Sequence, residues 1–221
     1  MTLALSLDPA LSGKVRLGVF VLDGVAVRER DPALDAEVAA YCAEVRARHA
    51  GVASGDVPGV EDARGLYKAL GIDPTKTRPS NEALLRRALK GEALYRINTL
   101  VDGLNLASLR TQLPFGLYDL ARIEPPVLLR RGAAGESYEG IRKAAVNVDG
   151  RPVLVDARGP FGNPTSDSSR TCITLGTTQA LVVAYAPAGI PERRLAEVLD
   201  TTEAILTRHC GGSRSARFLV P

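Results

Sequence analysis

Two stretches of the sequence decide what fold and site we expect: VDGLNLASLRTQLPFGLYD at residues 101–119 and GPFGNPTSDSSRT at residues 159–171. The first has an acid and Asn105 inside an apolar run and ends in a break at Pro114 and Gly116. The second is mostly Gly, Pro, Asn, Ser, Thr and Asp and lies between two strand-like segments. Polar loops held by a scaffold often carry sites. We therefore predict that function resides in these stretches and that neither is a simple core element.

The surrounding segments alternate between strand and helix patterns. Residues 14–22, 94–100, 171–175 and 180–186 are predicted strands, and a hairpin is predicted at 144–156 around its Asp149-Gly150 turn, with Pro152 at an edge or near the strand start. Predicted helices run from the Asp31-Pro32 cap to about 50, over 61–70, from a Ser80 cap to 90, and over 191–209. This order predicts a single α+β domain over 1–221. It has a mixed β-sheet flanked by helices, with the strand and helix of 14–50 packed on it.

Composition limits the class of protein. The 221 residues include 28 basic and 25 acidic side chains and are 45% hydrophobic, a balance that neither requires nucleic acid nor excludes it. Three cysteines, far apart in sequence, indicate neither a disulfide framework nor a zinc site. No run approaches 18 apolar residues, and the N-terminus lacks a signal-peptide pattern. We expect a soluble, cytoplasmic protein without membrane contact.

Few residues can carry catalysis. The two histidines, His49 and His209, fall in the last turns of predicted helices, where they complement the negative helix end, so Ser-His-Asp or Cys-His chemistry has little basis. Neither a phosphate-binding loop nor a strand-linked G-x-G-x-x-G occurs, and we predict no cofactor and no metal. The remaining acid–base candidates are Asp102, Asp119, Asp156 and Asp167. For Asp102 and Asp119 the alternative is to cap a helix or tie a loop.

Basic residues form three groups along the chain. They are Lys76, Arg78, Arg86, Arg87, Lys90 and Arg96, then Arg130, Arg131, Arg142 and Lys143, then Arg208, Arg214 and Arg217. Any one group is explained by a solvent-exposed helix face. Two groups on the same face of the protein would instead form a surface that contacts RNA phosphates. With no Trp and four Phe, a platform that stacks single strands is disfavoured, and a folded, helical RNA fits better. The RNA-binding candidates are Lys76, Arg78, Arg86, Arg87 and Lys90.

Residues 101–119 carry a family resemblance. Val101-Asp102-x-x-Asn105 with Leu109, Gln112, Pro114 and Tyr118-Asp119 resembles the V-D-x-T-N-Y-V-x-L-E-x-x-Q-P-x-H-A-F-D signature of the B3/B4 domain in the phenylalanyl-tRNA synthetase beta subunit. The resemblance extends over about residues 60–210 and indicates a free-standing B3/B4-like domain. It implies an α+β fold with a pocket that, in the synthetase, hydrolyses tyrosine wrongly attached to phenylalanine tRNA.

The resemblance also implies site residues. Asn105 matches the pocket Asn of the family, and Gly116 stands where the family has its pocket His. A second block, Gly159-x-x-Gly162-Asn163-x-x-Ser166, resembles the family's G-x-x-G-G-x-x-S pattern. The acid that reads the tyrosine hydroxyl falls on Pro164, and Asp167 is the nearest carboxylate. The predicted catalytic residues are therefore Asn105, Asp167 and Ser166, and the predicted substrate-binding residues are Gly116, Gly159, Gly162, Asn163, Ser168 and Thr171.

Two functions of different class follow. In the first, the protein binds tRNA and hydrolyses a mischarged aminoacyl ester in trans, with backbone N–H groups and hydroxyls of the 162–169 loop as oxyanion donors and a ribose hydroxyl helping to move the proton. In the second, it is a non-catalytic module that binds tRNA or an amino-acid-like small molecule. A small-molecule enzyme is a third, weaker possibility. The alternative for the loop is an Asx- or Ser-capped turn in which Arg170 pairs with a nearby acid.

Overall fold

The computed structural model describes residues 3–141 and 145–221. The helices are α1 Pro32–Arg48, α2 Val60–Ala69, α3 Ser80–Leu89, α4 Thr99–Thr111 and α5 Glu192–Cys210. The strands are β1 Leu5–Leu7, β2 Val15–Asp23, β3 Phe115–Asp119, β4 Val127–Arg131, β5 Ser137–Glu139, β6 Ala145–Asn147, β7 Pro152–Asp156, β8 Gly159–Gly162, β9 Gln179–Pro187 and β10 Ser213–Val220.

The strands form two four-stranded sheets and a short ribbon. One sheet is antiparallel throughout, in the order β10-β2-β9-β3. The other has the order β1-β4-β7-β8 and is mixed, because β1 runs parallel to β4 while the remaining pairs are antiparallel. The ribbon joins β5 and β6. The predicted α+β class with mixed β-structure is confirmed.

The antiparallel sheet is buried on both faces. Its central strands β2 and β9 are nine residues long, rich in Val, Leu, Ala and aromatic side chains, and pair without a break from Val15↔Pro187 to Asp23↔Gln179. One face packs with α4 and α5 around Phe20, Val182 and Leu199, and the other packs against the second sheet around Val19, Val183 and Tyr185. Burial on both faces explains why these strands read as continuous apolar runs rather than alternating ones.

Several sequence-based elements are confirmed. The structure contains the strands predicted at 14–22 and 180–186 and the helices predicted at 31–50, 61–70, 80–90 and 191–209, with ends differing by a residue or two. Asp31 caps α1 as expected, its Oδ1 accepting a hydrogen bond from the Ala33 N–H at 2.9 Å. Pro152 is the first residue of β7, as predicted.

Other predictions were wrong. Residues 94–100 do not form a strand, because the Asn98 side chain accepts a hydrogen bond from the Val101 N–H at 3.0 Å and starts α4 there. Residues 171–175 form a loop. The 144–156 segment is not a hairpin, since β6 pairs with β5 while β7 pairs with β4 and β8; its first residue, 144, lies outside the described part. Ser80 is the first residue of α3 and not its cap, which is Pro79.

Each of the described helices is too short or too polar to cross a membrane.

Candidate functional site

The two stretches singled out in the sequence meet at one cavity of about 410 Å³. Helix α4 and strand β3 form its apolar wall, and the loop between β8 and β9 supplies most of its polar groups. The lining residues are Ser80, Leu84, Ile97, Val101, Leu104, Asn105, Ser108, Phe115, Leu117, Ile141, Asn163, Pro164, Thr165, Ser166, Asp167, Cys172 and Ile173. The structure thus brings together all three predicted catalytic residues and one predicted substrate-binding residue, Asn163.

The two polar side chains that α4 contributes to the cavity differ in whether they are free to form hydrogen bonds with a ligand. The Ser108 hydroxyl donates a hydrogen bond to the Leu113 carbonyl oxygen at 2.7 Å, which holds the end of the helix to the start of β3. Asn105 is half-buried, and its side-chain amide makes no hydrogen bond with any of the described residues. One turn of helix therefore presents the Asn105 amide to the cavity as a free donor and acceptor.

The loop at 163–167 is a tight turn organised by Asn163. The Asn163 Oδ1 accepts hydrogen bonds from the Thr165 and Ser166 N–H groups at 2.7 and 2.8 Å, and the Asn163 N–H donates to the Ser166 carbonyl oxygen at 3.0 Å. This is the capped turn named as the alternative. The N–H groups of Asn163, Thr165 and Ser166, which were predicted oxyanion donors, are engaged within the turn itself.

Buried tyrosines fix the same loop from behind. The Tyr67 hydroxyl on α2 donates to the Pro164 carbonyl oxygen at 3.1 Å, and the Tyr138 hydroxyl on β5 donates to the Ser166 carbonyl oxygen. Burial raises the pKa of Tyr138, and the charge of Asp167 raises it further, so this phenol stays a neutral donor. The loop is therefore held rigidly against the cavity.

Asp167 has one carboxyl oxygen without a hydrogen-bond partner. Its Oδ1 is inaccessible to solvent and has no donor among the residues of 3–141 and 145–221. Burial raises the pKa of Asp167 to about 7, and the Tyr118 hydroxyl only partly opposes this effect. Tyr118 and Tyr185, whose hydroxyl oxygens lie 3.2 Å apart, are buried next to it. The cavity therefore contains a carboxyl group that exchanges its proton near neutral pH.

Gly116 does not line the cavity, contrary to the prediction. Side chains alternate along β3, so Phe115 and Leu117 face the cavity while Gly116 and Tyr118 face the second sheet. A Cβ at Gly116 would lie 2.2 Å from the Tyr118 hydroxyl oxygen, and one at Gly162 would lie 2.4 Å from the same ring. Both glycines make room for Tyr118, so neither is placed to touch a ligand in the cavity.

Replacing Gly116 with alanine is expected to destabilise the protein by about 1–3 kcal/mol, because the new methyl group overlaps Tyr118 in a packed interior. Gly65, in the exposed part of α2, is the matched control, since a Cβ added there would have no neighbouring atom within 4 Å. There alanine is expected to stabilise by about 0.5–1 kcal/mol. Urea unfolding of both variants measures the difference, and changes of the same sign would contradict the packing described.

The remaining predicted substrate-binding residues also lie outside the cavity. The hydroxyl oxygens of Ser168 and Thr171 are 3.0 Å apart in the buried base of the loop, and the Thr171 carbonyl oxygen accepts the Asp119 N–H at 2.9 Å. Gly159 lies at the turn between β7 and β8 with a φ of 110°, a value that favours glycine. These residues shape the loop and do not line the cavity.

Three of the four candidate acids have structural contacts. Asp156 forms a bidentate pair with Arg170, at 2.9 Å for both contacts, as the alternative for the loop predicted. Asp102 accepts the Ile97 N–H at 2.9 Å, and Asp119 accepts the Thr177 hydroxyl at 2.9 Å. Each of these three carboxylates holds one loop in place through these hydrogen bonds.

The histidines have structural contacts as well. The buried His209 lies in the last turn of α5, with its Nε2 2.8 Å from Glu37 and its Nδ1 3.5 Å from Asp31. His49 ends α1 as its C-cap residue. Neither lines the cavity. The described residues also contain no group of three or more His, Cys, Asp or Glu that could hold a metal ion.

The predicted RNA-binding group is only partly available. Arg78 lies 3.4 Å from Glu82, Arg87 donates to the Ala93 carbonyl oxygen and stacks on Tyr95, and Lys90 lies 3.9 Å from Glu92. Lys76 and Arg86 are exposed and form no ion pair within the described part of the chain. The group therefore offers two free cations rather than five.

The other basic groups are similarly engaged. Arg130 forms a bidentate pair with Glu136, while Arg208, Arg214 and Arg217 pair with Glu37, Glu203 and Asp200. Arg142 and Lys143 lie outside the described residues. Arg131 instead donates to the carbonyl oxygens of Leu70 and Gly150 and forms no ion pair within the described residues.

Sequence reasoning missed two features of the cavity. Cys172 lines it, half-buried, with its thiol 3.2 Å from the Ser169 carbonyl oxygen. The apolar residues Ile97 and Ile141 border it although they are about half exposed, at 47% and 45%. No motif marks these residues, because their position depends on how distant loops meet.

A concave site with apolar walls and a few polar groups, such as the Asp167 carboxyl, is typical of ligand-binding domains. The family described as the B3/4 domain matches residues 62–210, about two thirds of the chain. The chain belongs to this family, and the resemblance inferred from residues 101–119 is confirmed.

One solved structure similar to this chain is that of an N-terminal fragment of the phenylalanyl-tRNA synthetase beta subunit from Pyrococcus horikoshii. The sequence identity is 11% and the TM-score 0.46, over 100% of this chain and 55% of that one. The chain therefore spans about half the length of that fragment. No curated protein matches the chain.

Proposed function

We propose that the cavity binds the aminoacyl group of a mischarged aminoacyl-tRNA and that the protein hydrolyses the ester in trans. The observation that carries the proposal is the Asp167 carboxyl in the cavity lining, whose Oδ1 has no hydrogen-bond donor among the described residues. A carboxyl in the lining of a concave site with apolar walls is a polar group of the kind that orients a ligand or a reacting water. The cavity volume, about 410 Å³, lies in the range of roughly 300–1,000 Å³ that is typical of ligand sites.

Asp167 is the proposed general base. A group with a pKa about 7 combines a substantial deprotonated fraction at neutral pH with enough basicity to accept a proton. In the proposed step, water attacks the ester carbonyl carbon while the Asp167 carboxylate takes one proton from that water. The bond between the carbonyl carbon and the ribose oxygen then breaks, and the proton passes from Asp167 to the departing ribose oxygen. No protein nucleophile and no histidine are needed.

Asn105 is the proposed oxyanion donor. Its side-chain amide lines the cavity and makes no hydrogen bond with the residues of the described ranges, whereas the N–H groups of the 163–166 turn are occupied. A preorganised donor of this kind stabilises the negative charge that develops on the carbonyl oxygen. The Ser166 hydroxyl, also in the cavity lining, is the proposed contact for the attacking water.

Family membership and the two free cations Lys76 and Arg86 support tRNA as the carrier of the ester. Phosphate contacts made by such cations give affinity that falls as salt rises. The other three predicted RNA-binding side chains are held in ion pairs, Arg78 with Glu82 and both Arg87 and Lys90 with Glu92.

The proposal is tested by deacylation of a panel of mischarged tRNAs with the purified protein. We expect turnover of at least one pairing. The Asn105→Ala variant should turn over this substrate about 10²-fold more slowly, the usual effect of removing one oxyanion donor. Asn105 is half-buried and unpaired, so the variant should keep the melting temperature of the wild type. Equal rates in the two proteins would contradict the role of Asn105, and no turnover of any pairing would contradict the hydrolase.

A non-catalytic module that binds an amino-acid-like ligand is the second candidate. The observation that favours it is the use of the loop N–H groups inside the turn, which leaves few donors for an oxyanion. It predicts binding of aminoacyl-tRNA or of an amino-acid amide without turnover in the same assay.

A further inference from the structure

A surface groove adjoins the cavity. It has a volume of about 360 Å³ and is lined by Glu29, Arg30, Asn98, Thr174 and Leu175, together with Ile97 and Ile173. The last two residues also line the cavity. A molecule with one end in the cavity can therefore extend past Ile97 and Ile173 into the groove without leaving the protein surface.

Exposed apolar side chains gather at this place. Five large hydrophobic residues are exposed within 3–141 and 145–221, and three of them border the cavity or the groove: Ile97, Ile141 and Leu175. Leu175 is 53% exposed. Apolar residues grouped around a concave site indicate a binding surface, whereas isolated ones carry no such meaning.

Asp102 holds Ile97 in its exposed position. The Ile97 N–H donates to the Asp102 Oδ1 at 2.9 Å, and the next residue, Asn98, caps α4 through its side chain. Asp102 is 3% exposed and lies in the first turn of α4. The backbone that presents Ile97 is therefore fixed to a helix end.

Asp119 holds Leu175 through a threonine. Its Oδ2 accepts the Thr177 hydroxyl at 2.9 Å, and the Thr177 hydroxyl oxygen accepts the Thr174 N–H at 3.0 Å. The Thr177 N–H closes the turn by donating to the Thr174 carbonyl oxygen at 3.1 Å. Leu175 lies at the tip of this anchored turn, so its exposure is maintained by the fold.

We infer that Ile97 and Leu175 contact the terminal nucleoside of the RNA whose aminoacyl group occupies the cavity. The inference rests on the proposed function, because an ester joins the aminoacyl carbonyl directly to the ribose and so places the nucleoside in the space next to the cavity. Packing the flat face of a base against aliphatic side chains removes apolar surface from water, which is favourable. The Arg30 guanidinium lies at the groove for the adjoining phosphate. Asp102 and Asp119 are then positioning residues for this contact.

The test uses the full chain and non-hydrolysable probes. The probes are amides of 3′-amino-3′-deoxyadenosine with tyrosine, phenylalanine and a set of other amino acids, each beside the N-methylamide of the same amino acid. Calorimetric titration is expected to give about tenfold tighter binding for the adenosine conjugate than for the matching methylamide, and Leu175→Ser should remove most of this gain. Because Leu175 lines the groove and not the cavity, methylamide binding should stay within about twofold of wild type.

Two further variants make the result specific. Val52 is an exposed apolar residue away from the cavity and groove linings, so Val52→Ser should change neither affinity. Thr177→Val removes the hydroxyl that links Asp119 to the turn and should weaken the conjugate alone. If methylamides bind while adenosine adds no affinity, or if Leu175→Ser weakens both probes equally, the nucleoside contact is refuted and the proposed function stands. If no probe binds the wild type, both are refuted.

Discussion

Replacing Glu82 with alanine is expected to lower the free energy of unfolding by about 1–3 kcal/mol, because the partly exposed Arg64 loses its charged hydrogen-bond acceptor and the Ser54 hydroxyl loses its partner. The Glu82 side chain is 1% exposed. Its two oxygens accept hydrogen bonds from Arg64 at 2.8 Å each, and one also accepts the Ser54 hydroxyl at 3.2 Å. These contacts tie α3 to α2 and to the preceding turn. Since Ser80 and Leu84 of α3 line the cavity, Glu82 also fixes one cavity wall.

The effect of Glu82→Ala should depend on pH. Burial acts to raise the pKa of Glu82, but the Arg64 hydrogen bonds and charge outweigh it, so the pKa lies below its ordinary value of 4.5. A carboxyl with a lowered folded-state pKa contributes stability above its unfolded pKa and loses it as the pH falls. The difference between variant and wild type should therefore shrink below about pH 4.5.

The exposed i,i+4 pair of Arg193 and Glu197, 3.0 Å apart, is the control for Glu82. Glu197→Ala is expected to change the free energy of unfolding by no more than about 0.5 kcal/mol. Denaturant unfolding at pH 7 compares the two variants. A loss at Glu82 no larger than that at Glu197 would contradict the structural role of the buried pair.

Asp167→Asn is expected to change how stability depends on pH. The folded-state pKa of Asp167 is about 7, against an ordinary value of 3.8, so the native state holds one more proton than the unfolded state between these values. Stability from this group is fully present below the unfolded pKa and is lost as the pH rises through the folded pKa. From pH 5 to pH 8 the wild type should lose about 2–3 kcal/mol relative to the asparagine variant.

Unfolding curves of the wild type and Asp167→Asn, recorded at both pH values, measure this difference directly. Any constant cost of placing an amide in the cavity cancels, because only the change with pH is compared. The exposed Glu197→Gln serves as the control and should follow the wild type at both pH values. Parallel behaviour of wild type and Asp167→Asn would mean that the buried carboxyl is ionised like an exposed one.

The sequence predicts those parts of the fold that local patterns determine. β2 and β9 were identifiable from long apolar runs, and α1 from its Asp31-Pro32 start. The α4 helix was missed because Asp102 and Asn105 interrupt an apolar stretch, although Asp102 binds the N–H of the residue two before the helix. The hairpin predicted at Asp149-Gly150 was wrong because β6 pairs with β5, the strand just before it, and β7 pairs with β4 and β8.

The site was predictable as a pair of stretches but not residue by residue. Asn105, Ser166 and Asp167 lie together because α4 packs beside the 163–167 loop, as the paired motifs indicate. Gly116 faces the second sheet, away from the cavity, because successive residues of a strand point to opposite faces of the sheet. A sequence motif gives the spacing of its residues but not the face on which each one lies. The predicted contact of Gly116 with a substrate depended on the face of β3 on which it lies, and the sequence alone does not determine that face.

The basic groups show a second limit of prediction from the sequence, because ion pairs between residues distant in the chain cannot be recognised there. Arg208 pairs with Glu37, 171 positions earlier in the chain. Such pairs form only when distant helices meet, so counting cations along a sequence overestimates the free positive charge. Lys76 and Arg86 form no such pair within the described residues, so they remain the candidates for RNA contact.

The most direct test of the account is the pH dependence of single-turnover deacylation, measured with the mischarged tRNA that the panel identifies. After subtraction of spontaneous hydrolysis, the wild-type rate should rise with pH and level off above about pH 7, because the base must be deprotonated. Asp167→Asn should be slower by about 10²-fold or more and show no such rise. A variant that keeps the wild-type rate and pH profile would contradict the assignment of Asp167 as the base in this cavity.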